Sequence, residues 1–199
     1  MQTKIKLCGL FREEDIQNAN IANPDYVGFV FAKSRRQITR DKAREFRKIL
    51  NPGITVVGVF VDEDPREVVM LLQEGIIDIA QLHGEETGED ITFIKSNSGK
   101  PVIKAIKVTK DTELSQYNDS PADFLLLDSG NGSGEVFDWS NIKGLTKPFF
   151  LAGGINLENV SNAIEIVQPY GIDVSSGIET NQLKDGAKMQ GIVERVRYE

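Results

Sequence analysis

The 199-residue chain contains one cysteine and one histidine, so thiol and imidazole chemistry each have a single candidate. Cys8 closes the run Lys4 to Cys8 and is followed by Gly9. A thiol in that position is either a small buried hydrophobe or, where positive charge lowers its pKa, a base or nucleophile. Asp128 follows the apolar run Phe124-Leu125-Leu126-Leu127. It either caps the next turn or serves as a general acid, which requires a low-dielectric interior or a nearby anion. Gly153-Gly154 and Ser175-Ser176-Gly177 follow two later apolar runs. They are plain turns, or places where bare backbone lets amide N–H groups surround a phosphate. The Arg35-Arg36 pair is solvated surface, or a bidentate holder of a carboxylate. His83 is a structural histidine or a ligand-orienting one, and without neighbouring ligand types it does not make a metal site.

These residues share a setting. Eight strand-like runs recur every 20 to 25 residues or so: Lys4–Cys8, Tyr26–Phe31, Ile54–Val61, Ile77–Gln81, Val102–Ile106, Asp123–Leu127, Pro148–Leu151 and Ile172–Val174. Helical stretches lie between most of them, at Arg12–Ala22, Thr39–Leu50, Asp64–Gln73 and Gly88–Lys95, with a short candidate at Asp111–Tyr117. Thr39 is placed to cap its helix, and Asp64-Pro65 opens the next with proline at the first helical position. Asn156 can cap a helix carrying Val160, Ala163, Ile164 and Val167, and Asp185–Val196 can close the chain. Continuous apolar strands such as Val56-Val57-Gly58-Val59-Phe60-Val61 suit a parallel sheet buried on both faces. The pattern predicts an α/β fold, a single (β/α)8 TIM barrel with short loops, spanning residues 1–199 as one catalytic domain.

In such a barrel the chemistry belongs at the C-terminal ends of the strands. Those ends read Cys8, Phe31 with Arg35-Arg36 beyond, Asp62, Gln81-Leu82-His83, Lys107, Asp128, Gly153-Gly154 and Ser175-Ser176-Gly177. Polar groups collect there while the strand bodies stay apolar. Alternation places Lys6 on the same side as Cys8, and Asp173 supplies a carboxylate for a cation that would be costly unpaired inside a barrel. Ser129-Gly130-Asn131-Gly132-Ser133-Gly134, after Asp128, has the composition of a loop that closes over a ligand or of a run of turns.

Composition narrows the partners. Thirty acidic and 23 basic residues leave a net charge of -7, which disfavours a nucleic-acid scaffold but leaves room for a local basic pocket. One cysteine makes no intrachain disulfide, and no run approaches the length of a membrane span or a signal sequence. No membrane partner and a cytoplasmic location are the expectation. Monomer and homodimer both fit.

Taken in order, several segments resemble the phosphoribosylanthranilate isomerases of tryptophan biosynthesis. They are Lys6-Leu7-Cys8-Gly9, Val27-Gly28-Phe29-Val30-Phe31 leading to Ser34-Arg35-Arg36, Val57-Gly58-Val59-Phe60-Val61 and Gln81-Leu82-His83-Gly84. Leu127-Asp128, Gly132-Ser133-Gly134 leading to Phe137-Asp138-Trp139, Ala152-Gly153-Gly154-Ile155 with Asn159-Val160, and Asp173-Val174-Ser175-Ser176-Gly177-Ile178-Glu179 complete the set. The resemblance implies an Amadori rearrangement of N-(5-phosphoribosyl)anthranilate to 1-(2-carboxyphenylamino)-1-deoxyribulose 5-phosphate, without metal or cofactor. The substrate is then a phosphorylated aminosugar. The resemblance also implies that Cys8 is the general base and Asp128 the general acid. By the same resemblance, Arg36 meets the anthranilate carboxylate, Asp173 lies near the substrate amine, and Gly153, Gly154, Ser175, Ser176 and Gly177 hold the phosphate. His83 falls in a family motif as a substrate-side residue.

This chain has Arg35 where many members carry proline, and Asn131-Gly132 where many carry two glycines. Other phosphosugar isomerases or synthases on the same barrel, and a silent phosphosugar-binding barrel, are the competing readings. A related aminosugar-phosphate isomerase of histidine biosynthesis would carry an aspartate in place of Cys8.

Overall fold

The computed structural model describes residues 2–128, 139 and 142–198. Eight parallel strands close into a barrel in chain order: β1 (Lys4–Cys8), β2 (Tyr26–Val30), β3 (Thr55–Phe60), β4 (Ile79–Leu82), β5 (Val102–Lys107), β6 (Phe124–Asp128), β7 (Phe149–Ala152) and β8 (Gly171–Val174). The ring is completed by β8 against β1, with Lys6 opposite Asp173. The expected (β/α)8 architecture is therefore observed. Helices α1 (Glu13–Ala22), α2 (Arg40–Ile49), α3 (Pro65–Gln73), α4 (Gly88–Ser98), α5 (Val160–Val167) and α6 (Gly186–Tyr198) lie between and after the strands.

Local chemistry sets the helix starts. The Thr39 hydroxyl accepts from the Lys42 amide, and Asp64 accepts from Arg66 ahead of Pro65. Thr87 and Asp90 form a reciprocal capping box on α4. Asn156 accepts from the amides of Glu158 and Asn159, so its cap serves the turn leading into α5.

Some boundaries differ from expectation. Ile77 does not begin β4, because the amides of Ile76 and Ile77 turn back to the Leu71 carbonyl and still belong to the end of α3. The Asp111–Tyr117 candidate condenses to a single 3-10 turn at Leu114–Tyr117. Glu179–Thr180 and Leu183–Lys184 pair as a small antiparallel hairpin, β9 and β10, which the sequence reading did not anticipate.

The N-terminal rim has a repeated brace. Asp25, Asp78 and Asp123 each precede an even-numbered strand and accept the amide of the preceding odd strand, from Ile5, Val56 and Val102 at 3.0, 2.8 and 2.8 Å. Each also pairs with a cation: Lys4, Arg47 or Lys95. Buried backbone groups at strand ends need such partners. Inside the barrel, Tyr26, Phe124, Phe150 and Tyr170 pack at the lower end, with Val57, Ile79, Ile103 and Leu126 in the same cluster. This packing fills the lower half and leaves the upper half for polar side chains. Among the described residues no helix is long and apolar enough to cross a membrane.

Candidate active site

Cys8 stands at the top of β1, 7% exposed, opposite Gly28 on β2. A Cβ at position 28 would lie 2.6 Å from Cys8 Sγ, so the bare strand makes the room in which the sulfur sits. Gly28→Ala is expected to keep the barrel at a cost of about 1–3 kcal/mol while pushing the sulfur aside. A displacement of about 1 Å in a reacting group costs about a hundred-fold in rate. Urea denaturation beside turnover would separate the two effects, and an unchanged kcat would show that the position of the sulfur does not matter.

Below Cys8, the wholly buried Lys6 ammonium donates to Asp173 Oδ1 at 2.9 Å. Burial opposes the charge of Lys6, but Asp173 and then Cys8 outweigh it and hold the ammonium above its ordinary pKa. At Cys8 burial is the largest influence and pushes the thiol up. Lys6 pulls it down, Asp173 pushes it up again, and the net direction is upward. The Lys6 cation thus favours the thiolate, while the dry setting outweighs it.

Across the mouth, Asp128 ends β6 with its side chain partly exposed, and His83 Nε2 lies 3.3 Å from Asp128 Oδ2. His83 is itself met by Gln81: the amide Nε2 is 3.3 Å from His83 Nδ1. Cys8, Asp128, Arg36, His83, Asp173, Gly153, Gly154, Ser175 and Ser176 all open onto one cavity of about 460 Å³. Gly177 lies behind this wall. A Cβ there would sit 1.9 Å from the Ile155 carbonyl oxygen, so its bareness lets the turns after β7 and β8 pack together. Gly153 and Gly154 have φ of 90° and 67°, backbone that side-chain-bearing residues rarely adopt. A larger hollow of about 700 Å³ includes Thr3, Glu165, Tyr170 and Arg197 in its lining but none of the nominated residues.

Three further residues complete the setting. Glu179 on β9 accepts from Arg36 Nε at 2.8 Å, from Arg35, and from buried Lys184 Nζ at 2.9 Å. Lys184 also donates to the Ser175 carbonyl at 2.9 Å. Burial pushes the Glu179 carboxyl up, but Arg36, Lys184 and Arg35 together hold it down at about 2. Burial pushes Lys184 below its ordinary value. One carboxylate thus ties the turn after β2 to the turn after β8. Both arginines bind it, and Arg36 is the one that also lines the cavity. Ser129 to Gly134, Phe137 and Asp138 lie outside the described residues, and Trp139 is buried.

A closed eight-stranded barrel with a thiol and a histidine-linked carboxyl opening onto one cavity, beside glycine turns after β7 and β8, defines a (β/α)8 enzyme equipped for acid–base chemistry. Comparison with known proteins narrows this to a family. The family model for N-(5'-phosphoribosyl)anthranilate isomerase matches residues 5–195. An N-(5'-phosphoribosyl)anthranilate isomerase of Endomicrobium trichonymphae is 45% identical, with 98% of this chain and 96% of the relative covered. The crystal structure of phosphoribosyl anthranilate isomerase from Thermus thermophilus superposes with a TM-score of 0.87 at 35% identity, over 98% of each chain. A phosphoribosyl anthranilate isomerase in complex with reduced 1-(o-carboxyphenylamino)-1-deoxyribulose 5-phosphate gives 0.85 at 33% identity, again over 98% of each. The chain belongs to the phosphoribosylanthranilate isomerase family. Its activity is the isomerisation of N-(5'-phosphoribosyl)anthranilate to 1-(2-carboxyphenylamino)-1-deoxyribulose 5-phosphate, on a phosphorylated small-molecule substrate.

Proposed function

We propose that residues 1–199 act as one catalytic domain in which Asp128 is the general acid and Cys8 the general base of this Amadori rearrangement. Asp128 gives its proton to the furanose ring oxygen as the anthranilate nitrogen lone pair forms the C1–N double bond and the C1–O bond breaks. The product is an open-chain iminium. Cys8, as thiolate, removes the proton from C2, and that electron pair neutralises the iminium to give an enolamine. The enol O–H proton moves to C1 on tautomerisation, leaving the aminoketone, and exchange with solvent takes the proton off Cys8 and restores one to Asp128. No atom is gained or lost.

The observation that carries this reading is the placement of Cys8 and Asp128 on one cavity, on strands β1 and β6. The other roles follow from position. Arg36, steadied through Nε by Glu179, presents a cation to the anthranilate carboxylate. Gly153, Gly154, Ser175 and Ser176 border the end that takes the phosphate, with Gly177 supporting that turn from behind. Asp173, bound to Lys6, stands beside the substrate amine, and His83 contacts the acid. The reaction needs no metal or organic cofactor in this scheme, because each step is a proton transfer or an electron-pair shift within the substrate. A base that must stay a free thiol fits the reducing cytoplasm as its place of work.

The test is to generate phosphoribosylanthranilate in situ, follow loss of its fluorescence with the purified chain, and identify the product by mass and chromatography. Conversion above the buffer control supports the reading. Authentic substrate left unconverted by folded protein would remove it.

A further inference from the structure

The geometry points to Gln81 as a positioning residue that fixes the protonation state of His83 and, through it, keeps Asp128 able to carry a proton. The inference rests on the proposed role of Asp128 as the acid. Gln81 is 1% exposed at the upper end of β4, on the wall of the cavity. Its amide Nε2 faces His83 Nδ1 at 3.3 Å, and the far ring nitrogen, Nε2, faces Asp128 Oδ2 at 3.3 Å. An amide nitrogen only donates, so the Nδ1 it faces must be an unprotonated acceptor. The single ring proton then sits on Nε2 and is donated to Asp128.

Chemistry gives this arrangement a purpose. A doubly protonated imidazolium beside Asp128 would form an ion pair, hold the carboxyl ionised and leave it no proton to give. With its amide nitrogen turned to the ring, Gln81 opposes that state, because an N–H would then face a ring N–H. A neutral imidazole donating one hydrogen bond orients the carboxyl without stripping it. Other charged groups face His83 from its own loop, from β5 and from across the cavity. Glu85 and Glu86 in its own loop, and Lys104 and Lys107 on β5, share its second cavity, of about 530 Å³. Cys8, Arg36 and Asp173 lie on the wall it shares with Gln81. Glu86 and Lys104 are paired with each other at 2.7 Å.

A second observation marks Gln81 as built for this cavity. Its Oε1 is buried without a hydrogen-bond partner among the described residues. Buried polar atoms rarely go unpaired without a reason.

His83 is the one histidine of the chain, so its spectrum needs no assignment. The experiment is 15N–1H correlation of the full protein labelled at histidine, at pH 7, beside steady-state kinetics of two variants. The wild type is expected to show a proton on Nε2 and none on Nδ1. In Gln81→Glu the carboxylate invites the second proton, so both nitrogens should be protonated and kcat should fall about 10- to 100-fold. KM should stay within about two-fold there, because Gln81 is assigned to positioning and not to ground-state binding. Gln81→Met, the isosteric variant for the case where the buried acid does not fold, should scramble the tautomers and lower kcat with little change in KM.

A wild-type proton on Nδ1 would mean that the amide presents its oxygen to the ring, and would overturn the inference. So would an Nε2–H tautomer that survives both substitutions. The tautomer is read on resting protein and does not depend on turnover. A failure of Asp128 as the acid is therefore seen separately, in the kinetics of Asp128→Asn.

Discussion

Asp128→Asn is expected to change the shape of the pH–rate profile as well as its height, and Cys8→Ala to abolish turnover at every pH. In the proposed mechanism the competent enzyme carries one proton on the pair: a thiolate at Cys8 and a carboxylic acid at Asp128. Wild-type kcat/KM should therefore be bell-shaped, rising as the fully protonated pair loses its first proton and falling as it loses the second. The limbs belong to the pair as a whole. Burial pushes the Cys8 thiol above its ordinary value of 9.0, so the alkaline limb should lie above that point. Replacing the acid by an amide leaves only the thiol to titrate, and the requirement for a retained proton disappears. The residual activity of Asp128→Asn should then climb with pH through the Cys8 titration, with no alkaline fall. General acid or base catalysis contributes about 10² to 10⁴ in rate, so either variant should lose at least a hundred-fold in kcat. KM should move little, because neither group is assigned to ground-state binding. A bell retained by Asp128→Asn would assign its alkaline limb to another group and remove the aspartate as acid.

Much of this site was legible because parallel barrel strands leave little choice about where polar residues can go. A run such as Phe124-Leu125-Leu126-Leu127 must be buried on both faces, so the aspartate that ends it marks the edge of the barrel. The same logic placed Cys8, and strand alternation carried Lys6 towards Asp173. Helix starts were legible where the cap is a single residue type, as at Thr39 and Asp64.

What escaped the sequence was contact between distant loops. Glu179 reaches arginines 143 and 144 positions earlier, through a hairpin too short to have its own periodicity. Lys184 is a lysine between a leucine and an aspartate in the sequence, and nothing local marks it as buried. Gly177 reads as a phosphate turn, and nothing local shows that its bareness also serves close approach to the Ile155 carbonyl. Gly28 passed as an ordinary strand residue, since the sulfur that needs its space comes from another strand.

The buried ion pair beneath Cys8 should separate stability from catalysis. Asp173→Ala is expected to destabilise the protein by about 3–5 kcal/mol, because it strands a Lys6 ammonium that has no exposure to water. That is a large share of the roughly 5–15 kcal/mol by which a typical domain is stable. The double replacement Lys6→Met with Asp173→Leu removes both charges and fills the space with apolar atoms, so most of the stability should return. Urea midpoints of the single and double variants form the cycle that measures this coupling. Activity should not return with stability, because Asp173 is also the carboxylate proposed to stand at the substrate amine. Lys6→Met alone carries the electrostatic half of the test. It takes away the cation that pulls the Cys8 thiol down and leaves the Asp173 charge that pushes it up, so the alkaline limb should move to higher pH. A limb that stays in place would mean that the cation does not act on the sulfur. A double variant as unstable as Asp173→Ala would mean that the pair contributes shape rather than charge compensation. Recovery of stability with turnover still lost is the outcome that makes Lys6–Asp173 part of the active site and not only of the barrel wall.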